Sequence, residues 1–301
     1  MSMIKTVGLL GATSHVGLAL LRVLQGSDYQ AIAFSRQITK SPMPLPAEIA
    51  AIPVGDSVRW SSIESLPTIV SQQAIAYWIS LAPIWVLLDY LDQIQKSGAQ
   101  RIVVLSSTSR FTKQDSSTAS DKLLALRFID AEAKLQAWAE EHGIQFVILR
   151  PTLIYGLGKD KNICEIARLI RRFRFFPLLG EGNGLRQPVH CHDVAQACAS
   201  ALVANASANK SYNLSGDEVL SYKNMVTRVF EAMKFKPRFF KVPMFILQAS
   251  ILLIRLIPRY RSWSFAMIQR MNKDMIFDHQ DAERDLGFKP RKFILHADDL
   301  P

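Results

Sequence analysis

A turn of small and polar residues, Gly11–Gly17 (GATSHVG), directly follows a short apolar run. Glycines let a chain bend sharply and approach a phosphate group closely, and the amino end of the helix that follows attracts the negative charge. Ser14 stands where the glycine fingerprint for a dinucleotide pyrophosphate has its middle glycine, and its hydroxyl and N–H can also donate to phosphate. The spacing predicts a pyrophosphate-binding turn, with an ordinary strand-to-helix turn as the alternative.

Arg36 follows the second apolar run, Ala31–Phe34. In a dinucleotide-binding fold this position contacts the adenosine ribose, and an acidic residue there accepts a hydrogen bond from the 2′-hydroxyl of NAD. A guanidinium instead forms charge-assisted hydrogen bonds with the 2′-phosphate of NADP. We expect NADP(H) to be favoured over NAD(H), and the alternative role of Arg36 is that of a plain surface cation.

Apolar runs of strand length alternate with helix-like stretches over the first half of the chain. The runs are Ile4–Leu10, Ala31–Phe34, Ala74–Ser80, Arg101–Ser106 and Gln145–Leu149. Apolar strands separated by helices imply a parallel sheet that is covered on both faces. One helix shows an apolar stripe from Phe128 to Trp138 and stops at Gly143. The expected fold class is α/β, a Rossmann-like doubly wound parallel sheet with a smaller C-terminal α/β annex domain.

The chain is expected to divide into an NAD(P)-binding domain over residues 1–157 and an annex over 158–301 that returns to the sheet in places. The annex region contains a basic helix (162–174), a glycine-rich loop (180–184) and a strand-and-helix segment near 188–202. Residues 1–158 carry 13 basic and 12 acidic side chains, a net charge of +1, whereas residues 159–301 carry 23 and 14, a net charge of +9. The basic half predicts an anionic partner, and a solvated basic face is the alternative.

The three cysteines, Cys164, Cys191 and Cys198, show neither Cys-x-x-Cys spacing nor a histidine pattern suited to zinc. Buried thiols in a reducing compartment and no metal site are therefore expected. Lys5 and the apolar residues after it resemble the start of a signal peptide, but the glycine turn interrupts the run and no small-residue cleavage site follows. We expect a cytoplasmic protein. It can also be a peripheral protein on the inner face of the membrane.

The stretch Val242–Pro258 is apolar apart from three polar or charged residues, and Lys or Arg residues lie on both sides of it. It is too short to span a bilayer, which needs ~20 apolar residues. An apolar segment with cationic edges can lie on an anionic membrane surface. A buried annex helix and a homodimer interface are the alternatives, and the cationic edges favour the membrane surface.

Nucleic acid is not an expected partner, because the basic half carries no nucleic-acid-binding motif. Three phenylalanines lie beside three arginines between positions 171 and 176, and such residues can stack on bases. The packing of a helix is the favoured interpretation of these phenylalanines.

Four segments together resemble the extended short-chain dehydrogenases/reductases in their order and approximate spacing, and they cover most of the chain. They are Gly11–Gly17, Val104–Thr108 (VLSST), Leu149–Gly156 (LRPTLIYG) and Arg186–His190 (RQPVH) with Asp193–Ala195 (DVA) after it. The chain is similar to the NAD-dependent epimerase/dehydratase branch and to its atypical relatives. These relatives include the nucleotide-binding accessory subunit of respiratory complex I.

The resemblance implies roles for the residues at matching positions. Residues assigned to the cofactor are Gly11, Thr13, Ser14, His15, Val16, Gly17, Arg36, Asp56, Ser80, Leu81, Ala82, Ser106, Ser107, Pro151 and Leu153. Residues assigned to the substrate are Tyr155, Arg186, Gln187 and His190. Thr108 takes the position of the family's catalytic Ser/Thr, and Tyr155 is the second catalytic candidate.

The sequence departs from the family at its proton-transfer pair. The family uses a tyrosine as general acid/base and a lysine four residues later, whose charge lowers the pKa of the phenol. The family spacing predicts both within residues 123–131, yet no tyrosine occurs between Tyr90 and Tyr155. Alignment on Glu132 puts Leu124 and Phe128 at the two positions, and neither side chain can transfer a proton.

Tyr155, His190 and Lys134 are the candidates that can replace the missing pair. Each also has an ordinary structural alternative. The tyrosine can pack in a loop, the histidine can be hydrogen-bonded within the annex, and the lysine can be a solvent-exposed residue of a helix. Two functions are therefore expected. One is an NAD(P)-dependent oxidoreductase or epimerase acting on a nucleotide sugar or a similar anionic metabolite. The other is a catalytically weak or inactive NADP(H)-binding protein with a structural, assembly or redox-sensing role at a membrane surface.

Overall fold

The computed structural model describes residues 5–25, 27–36, 38, 57–242 and 271–301. The strands are β1 Lys5–Leu10, β2 Tyr29–Ser35, β3 Val58–Ser62, β4 Tyr77–Ser80, β5 Arg101–Leu105, β6 Gln145–Pro151, β7 Ile154–Tyr155, β8 Phe176–Leu179, β9 Leu185–Arg186, β10 Val189–His190, β11 Lys210–Leu214, β12 Leu220–Ser221 and β13 Phe239–Val242. The helices are α1 His15–Leu24, α2 Leu66–Gln72, α3 Ile84–Leu87, α4 Leu91–Lys96, α5 Ser109–Thr112, α6 Ala119–Glu141, α7 Ile163–Phe173, α8 Cys191–Ala201, α9 Tyr222–Ala232 and α10 Gln280–Leu286.

The main sheet has seven parallel strands in the order β3-β2-β1-β4-β5-β6-β11. The direction of the strand order reverses between β1 and β4, and the carboxyl ends of these two strands lie side by side. The N–H of Leu81, just after β4, donates to the carbonyl of Leu10 at the end of β1 at 2.8 Å. Ligands of open parallel sheets bind in the crevice at such a reversal point.

Both faces of the sheet are buried, as expected for parallel strands. Alternate strand residues divide between two core clusters because successive side chains point to opposite faces. Val7 and Leu9 belong to the cluster beneath α1 and α8, whereas Leu10 and Ile148 belong to the cluster beneath α6. The helical stripe predicted in α6 points into this second cluster, and the chain turns at Gly143 with a φ of +64°.

The annex consists of two-stranded pairings and the helices α7 and α9, which enclose a third apolar cluster. β7 pairs with β10, β9 with β12 and β8 with β13. The chain returns to the main sheet through α8, which packs against α1, and through β11, which pairs with β6. Among the described residues, no helix is long and apolar enough to cross a bilayer.

The predicted fold class is confirmed, and the main-sheet strands missed from the sequence are the two edge strands. β3 and β11 each pair with a single neighbour in the main sheet, and only two of the five residues in each are buried. An edge strand buries fewer side chains, so VRWSS and KSYNL lack the apolar run on which the prediction relied. Asp56 and all of Val242–Pro258 after Val242 lie outside the described residues.

Candidate functional site

The phosphate-binding turn joins β1 to α1 at the reversal point of the sheet. Gly11 adopts a φ of +77°, and a Cβ at this position would lie 2.6 Å from the backbone nitrogen of Ala82. A Cβ on Gly17 would lie 2.3 Å from the carbonyl oxygen of Ala12. The absence of side chains at these two positions lets the turn lie tightly against α1 and against the segment after β4.

Ser14 is the N-cap residue of α1, and its Oγ accepts a hydrogen bond from the Gly17 N–H at 3.0 Å. The N–H groups of His15 and Val16 have no acceptor in the described part of the chain. Unpaired N–H groups in the first turn of a helix, at the positive end of its dipole, bind anions. These residues therefore fit a pyrophosphate group. Ser14 belongs to the turn and also caps the amino end of α1.

A groove of about 260 Å³ lies over the carboxyl ends of the strands beside this turn. Its lining residues are Leu10, Gly11, Thr13, Ser14, Phe34, Ser35, Arg36, Ile63, Leu81, Ala82, Pro83, Val86 and Tyr90. Arg36 is exposed at the end of β2 and is the charged side chain of this set. Among the described residues no carboxylate belongs to the lining, so the charged group that they offer an anion at the end of β2 is a cation.

The predicted cofactor residues divide between the groove, a second cavity and the core. Gly11, Thr13, Ser14, Arg36, Leu81 and Ala82 line the groove, whereas His15, Ser107 and Leu153 line the second cavity. Val16, Gly17, Ser80, Ser106 and Pro151 are buried beneath these surfaces. The wall contributed by Ile63, just after β3, was not predicted because β3 itself was not recognised.

The second cavity, of about 560 Å³, lies between the main sheet and the annex. Its lining residues are His15, Ser107, Thr108, Ser109, Thr112, Lys113, Thr152, Leu153, Ile154, Lys159, Asp160, Lys161, Asn162, Arg186, Gln187, Tyr222, Met271 and Met275. Both His15 and Ser14 belong to the phosphate-binding turn, so the turn separates this cavity from the groove. A dinucleotide that lies along the groove can therefore direct its other end toward the cavity.

Among the described residues, the lining of the second cavity has four cations, Lys113, Lys159, Lys161 and Arg186, and one carboxylate, Asp160. Lys113 also forms an ion pair with Asp121 at 2.9 Å. The Asp160 carboxylate already accepts hydrogen bonds from the N–H groups of Asn162 and Ile163, at 2.8 and 2.6 Å. It caps the start of α7 and has little capacity left for a ligand. The cavity therefore favours an anionic ligand.

Two titratable groups of this cavity have displaced pKa values. Burial lowers the pKa of His15, an effect that Asp160 opposes and His190 reinforces. The Nε2 of His15 is buried and has no partner among the described residues. Burial raises the pKa of Tyr222 to about 12. His15 is consequently neutral at neutral pH, and the phenol of Tyr222 keeps its proton.

Thr108, which is predicted to take the position of the family's catalytic Ser/Thr, is buried and lines the cavity. Its Oγ1 donates to the carbonyl oxygen of Pro151 at 3.1 Å, and its N–H donates to the same oxygen at 3.1 Å. The two bonds hold the segment after β5 against the end of β6. The hydroxyl oxygen can still accept a hydrogen bond from a ligand.

A buried carboxylate, which the sequence did not identify as a site feature, lies behind Thr108. Glu132 on α6 accepts hydrogen bonds from Ser106 at 2.5 Å and from two nitrogens of Arg150, with a closest distance of 2.6 Å. Arg110 on α5 forms an ion pair with the same carboxylate. The cluster ties α5, α6, β5 and β6 together, and its two cations exceed its one anion.

The two residues predicted to stand at the positions of the proton-transfer pair make apolar contacts. Phe128 is buried, and its ring centroid lies 5.1 Å from that of Trp85 in an edge-to-face arrangement. Leu124 is half-buried and packs on the same core cluster. The guanidinium of Arg127 lies 4.2 Å from the centre of the Trp85 ring. Both predicted positions therefore contribute to the packing of α6 in the core.

The three replacement candidates lie outside the linings of both cavities. Tyr155 is fully buried between the rings of His190 and Phe293, and burial raises its pKa well above the ordinary value. His190 accepts a hydrogen bond at Nδ1 from the His192 N–H and donates from Nε2 to Asp299 at 3.2 Å. Lys134 is exposed and forms an ion pair with Asp130, four residues earlier on α6.

The predicted substrate residues Arg186 and Gln187 both line the second cavity. Arg186 donates to the carbonyls of Leu185 and Lys273 at 2.7 and 2.8 Å. The side-chain oxygen of Gln187 accepts from the Phe277 N–H at 2.7 Å. Both side chains thus join the annex strands to residues 271–301 while facing the cavity.

Known proteins resemble this chain in sequence. Subunit 9 of the NADH dehydrogenase (ubiquinone) 1 alpha subcomplex from Dictyostelium discoideum mitochondria is 25% identical over 230 residues, which are 73% of this chain and 62% of that protein. UDP-glucose 4-epimerase of Vibrio cholerae is 23% identical over 156 residues, 48% of this chain and 47% of that protein. An uncharacterised Sinorhizobium fredii protein is 24% identical over 218 residues, which are 67% of this chain and 52% of that protein. The chain spans less than two thirds of the length of these relatives.

Solved structures share the fold over nearly the whole chain. UDP-glucuronic acid 4-epimerase from Bacillus cereus in complex with NAD has a TM-score of 0.71 at 14% identity, covering 98% of this chain and 95% of that one. UDP-glucose 4-epimerase from Thermotoga maritima with UDP-glucose has a TM-score of 0.67 at 15% identity, covering 95% and 94%. The sequence model of the NAD dependent epimerase/dehydratase family matches residues 7–215. The chain therefore belongs to the NAD dependent epimerase/dehydratase family.

Proposed function

We propose that this chain binds a nicotinamide dinucleotide along the groove at the reversal point, and that it binds NADP(H) more tightly than NAD(H). The observation that carries the proposal is the groove itself, which runs from Gly11, Thr13 and Ser14 of the turn to Arg36 at the end of β2. The unpaired N–H groups of His15 and Val16 directly follow these turn residues in the chain. One end of the groove suits a pyrophosphate, and the other offers a guanidinium to a 2′-phosphate.

We further propose that the second cavity takes a nucleotide sugar or a similar anionic metabolite, so that the chain is an oxidoreductase of the epimerase/dehydratase kind. The cationic lining of the cavity supports an anionic ligand. Solved proteins with the same fold include epimerases in complex with NAD and with UDP-glucose. Thr108, Arg186 and Gln187 are the side chains of the cavity that would contact the ligand.

A second candidate function is a catalytically weak or inactive holder of NADP(H) with a structural, assembly or redox-sensing role at a membrane surface. The specific observation in its favour is that Leu124 and Phe128, the two positions predicted to correspond to the family's acid/base pair, are packed among apolar side chains. One relative is, by its name, a subunit of a mitochondrial NADH dehydrogenase. Val242–Pro258 remains the sequence segment proposed for membrane contact under this function.

Titration of the protein with NADPH and NADH tests the dinucleotide proposal. We expect Arg36→Ala to weaken NADPH binding by about 10- to 100-fold, since a charge-assisted hydrogen bond contributes about 1.5–3 kcal/mol. NADH binding should change little because NADH lacks the 2′-phosphate. Arg59→Ala is the matched control: Arg59 is exposed on the neighbouring strand β3 and is not part of the groove lining.

Equal affinities of the wild-type protein for the two cofactors would contradict the NADP(H) preference. Absence of binding to either cofactor would contradict the whole assignment. If Arg36→Ala and Arg59→Ala weakened NADPH binding equally, the effect would come from the general positive charge rather than from a contact at the end of β2.

A further inference from the structure

Three phenylalanines form an exposed aromatic surface on the annex. Phe173, Phe175 and Phe240 are 44%, 40% and 59% exposed, which is high for such large apolar side chains. The ring centroid of Phe175 lies 5.9 Å from that of Phe173 and 6.1 Å from that of Phe240. The three rings are therefore contiguous, unlike the scattered apolar residues of an ordinary protein surface.

The local backbone explains why these rings face outward. Helix α7 ends at Phe173, and Arg174 takes a left-handed conformation with a φ of +63°, so the chain reverses into β8. Phe176, the first residue of β8, is buried in the annex core. The alternation of a strand then turns Phe175 away from that core. On β13, which pairs with β8, Phe240 is likewise exposed.

Exposed cations lie close in sequence to the three phenylalanines. Five exposed cations lie on the end of α7, on its turn and on the segment before β13: Arg171, Arg172, Arg174, Lys236 and Arg238. None of the five has a carboxylate partner in the described part of the chain. The guanidinium of Arg172 lies 5.4 Å from the ring centre of Phe173. We call these eight residues the Phe–Arg patch.

We propose that the Phe–Arg patch docks on the surface of an anionic lipid bilayer. Phenylalanine rings can enter the boundary between headgroups and acyl chains, while arginine and lysine are attracted by anionic headgroups, and firm membrane contact requires two such signals together. Charge complementarity selects this occupant, since the patch has unpaired cations around an apolar centre. In addition, the chain leaves the patch through β13 and enters the apolar sequence 243–258.

Co-sedimentation with phosphatidylcholine vesicles, with and without phosphatidylserine, tests the proposal. We expect binding to vesicles that contain phosphatidylserine at low salt, and weaker binding at high salt. Arg171→Gln with Arg172→Gln should weaken it about 30-fold, because a cation near an anionic surface contributes a factor of about five. Phe175→Ser with Phe240→Ser should weaken it at least about 10-fold through the loss of apolar contact.

Two control pairs match these variants in chemistry. Lys122→Gln with Lys289→Gln removes two exposed cations from other elements, and Leu123→Ser with Leu126→Ser removes two exposed apolar side chains from α6. Both pairs should bind vesicles as the wild-type protein does. NADPH titration of every variant keeps this proposal separate from the dinucleotide proposal, since the patch variants should retain the wild-type affinity for NADPH.

Absence of vesicle binding at low salt would overturn the proposal, as would equal losses in the patch and control variants. A second overturning result is tighter, patch-dependent binding of a single-stranded oligonucleotide, which would make the surface a nucleic-acid site. A third is a concentration-dependent dimer that the patch variants break, which would make the surface an interface between two copies of the chain.

Discussion

At the scale of single residues, His15 has surroundings that are unusual for a histidine. It is the first residue of α1 and lines the second cavity, yet its Nε2 is buried without a partner among the described residues. Burial lowers its pKa, Asp160 at the start of α7 opposes this shift, and His190 before α8 reinforces it. The ring is therefore held neutral in a place where a protonated ring would be poorly solvated.

This lowered pKa predicts a loss of stability toward acid pH. The folded-state pKa lies below the unfolded value of about 6.5, so at lower pH the unfolded chain binds a proton that the folded chain excludes. The free energy of unfolding should then fall as the pH drops below about 6.5. His15→Gln should reduce that decline in urea titrations at about pH 7 and about pH 5.5. Identical declines in both proteins would contradict the prediction.

At the scale of secondary-structure elements, α6 has two different kinds of charge contact. Glu132 is buried, with only 2% of its side chain exposed, and forms ion pairs with Arg110 and Arg150. Asp130 forms its ion pair with Lys134 on the solvent face, where the two side chains are 59% and 62% exposed. The buried cluster joins α6 to α5 and β6, whereas the exposed pair joins α6 only to itself.

Glu132→Gln should cost about 3 kcal/mol of unfolding free energy, because it leaves the partly buried guanidinium groups of Arg110 and Arg150 without their anion. Asp130→Asn, in the same helix, should cost less than about 0.5 kcal/mol, since exposed pairs contribute little. Chemical denaturation of both variants measures the difference. Similar small losses in the two variants would show that water or rearranged side chains compensate the arginines.

At the scale of the whole molecule, the chain has the fold of the epimerase/dehydratase family, while its sequence predicts that the family's proton-transfer pair is absent. Phe128, which is predicted to take the position of the pair's lysine, is in contact with Trp85. Neither Leu124 nor Phe128 lines the groove. We therefore expect dinucleotide binding to persist where turnover is weak.

We expect the purified protein to convert common nucleotide sugars about 10²- to 10⁴-fold more slowly than family members with the complete pair, which is the usual contribution of general acid/base catalysis. Steady-state assays with UDP-glucose and UDP-glucuronic acid measure this. Turnover at an ordinary rate would reveal a substitute proton donor. Comparison of His15→Gln, Tyr155→Phe and His190→Ala would then identify it as the variant that loses activity while retaining cofactor affinity.

The sequence by itself determined the class of fold and the place of the turn between β1 and α1, for which phosphate binding stays a prediction. Periodic apolar runs and the spacing of Gly11, Ser14 and Gly17 are local properties, so neighbouring residues suffice to recognise them. The same local information predicts that the proton-transfer pair is missing, since no tyrosine lies near the expected position. It missed β3 and β11 because edge strands need no continuous apolar run.

Only the tertiary structure decided which residues meet. The contacts of Glu132 with Ser106, Arg110 and Arg150 join separate elements and leave no mark in the sequence pattern. The same holds for the Phe–Arg patch, where β13 places Phe240 beside Phe175 from a distant part of the chain. Burial and partner choice arise when elements pack, because each side chain's environment is then set by residues far away in sequence.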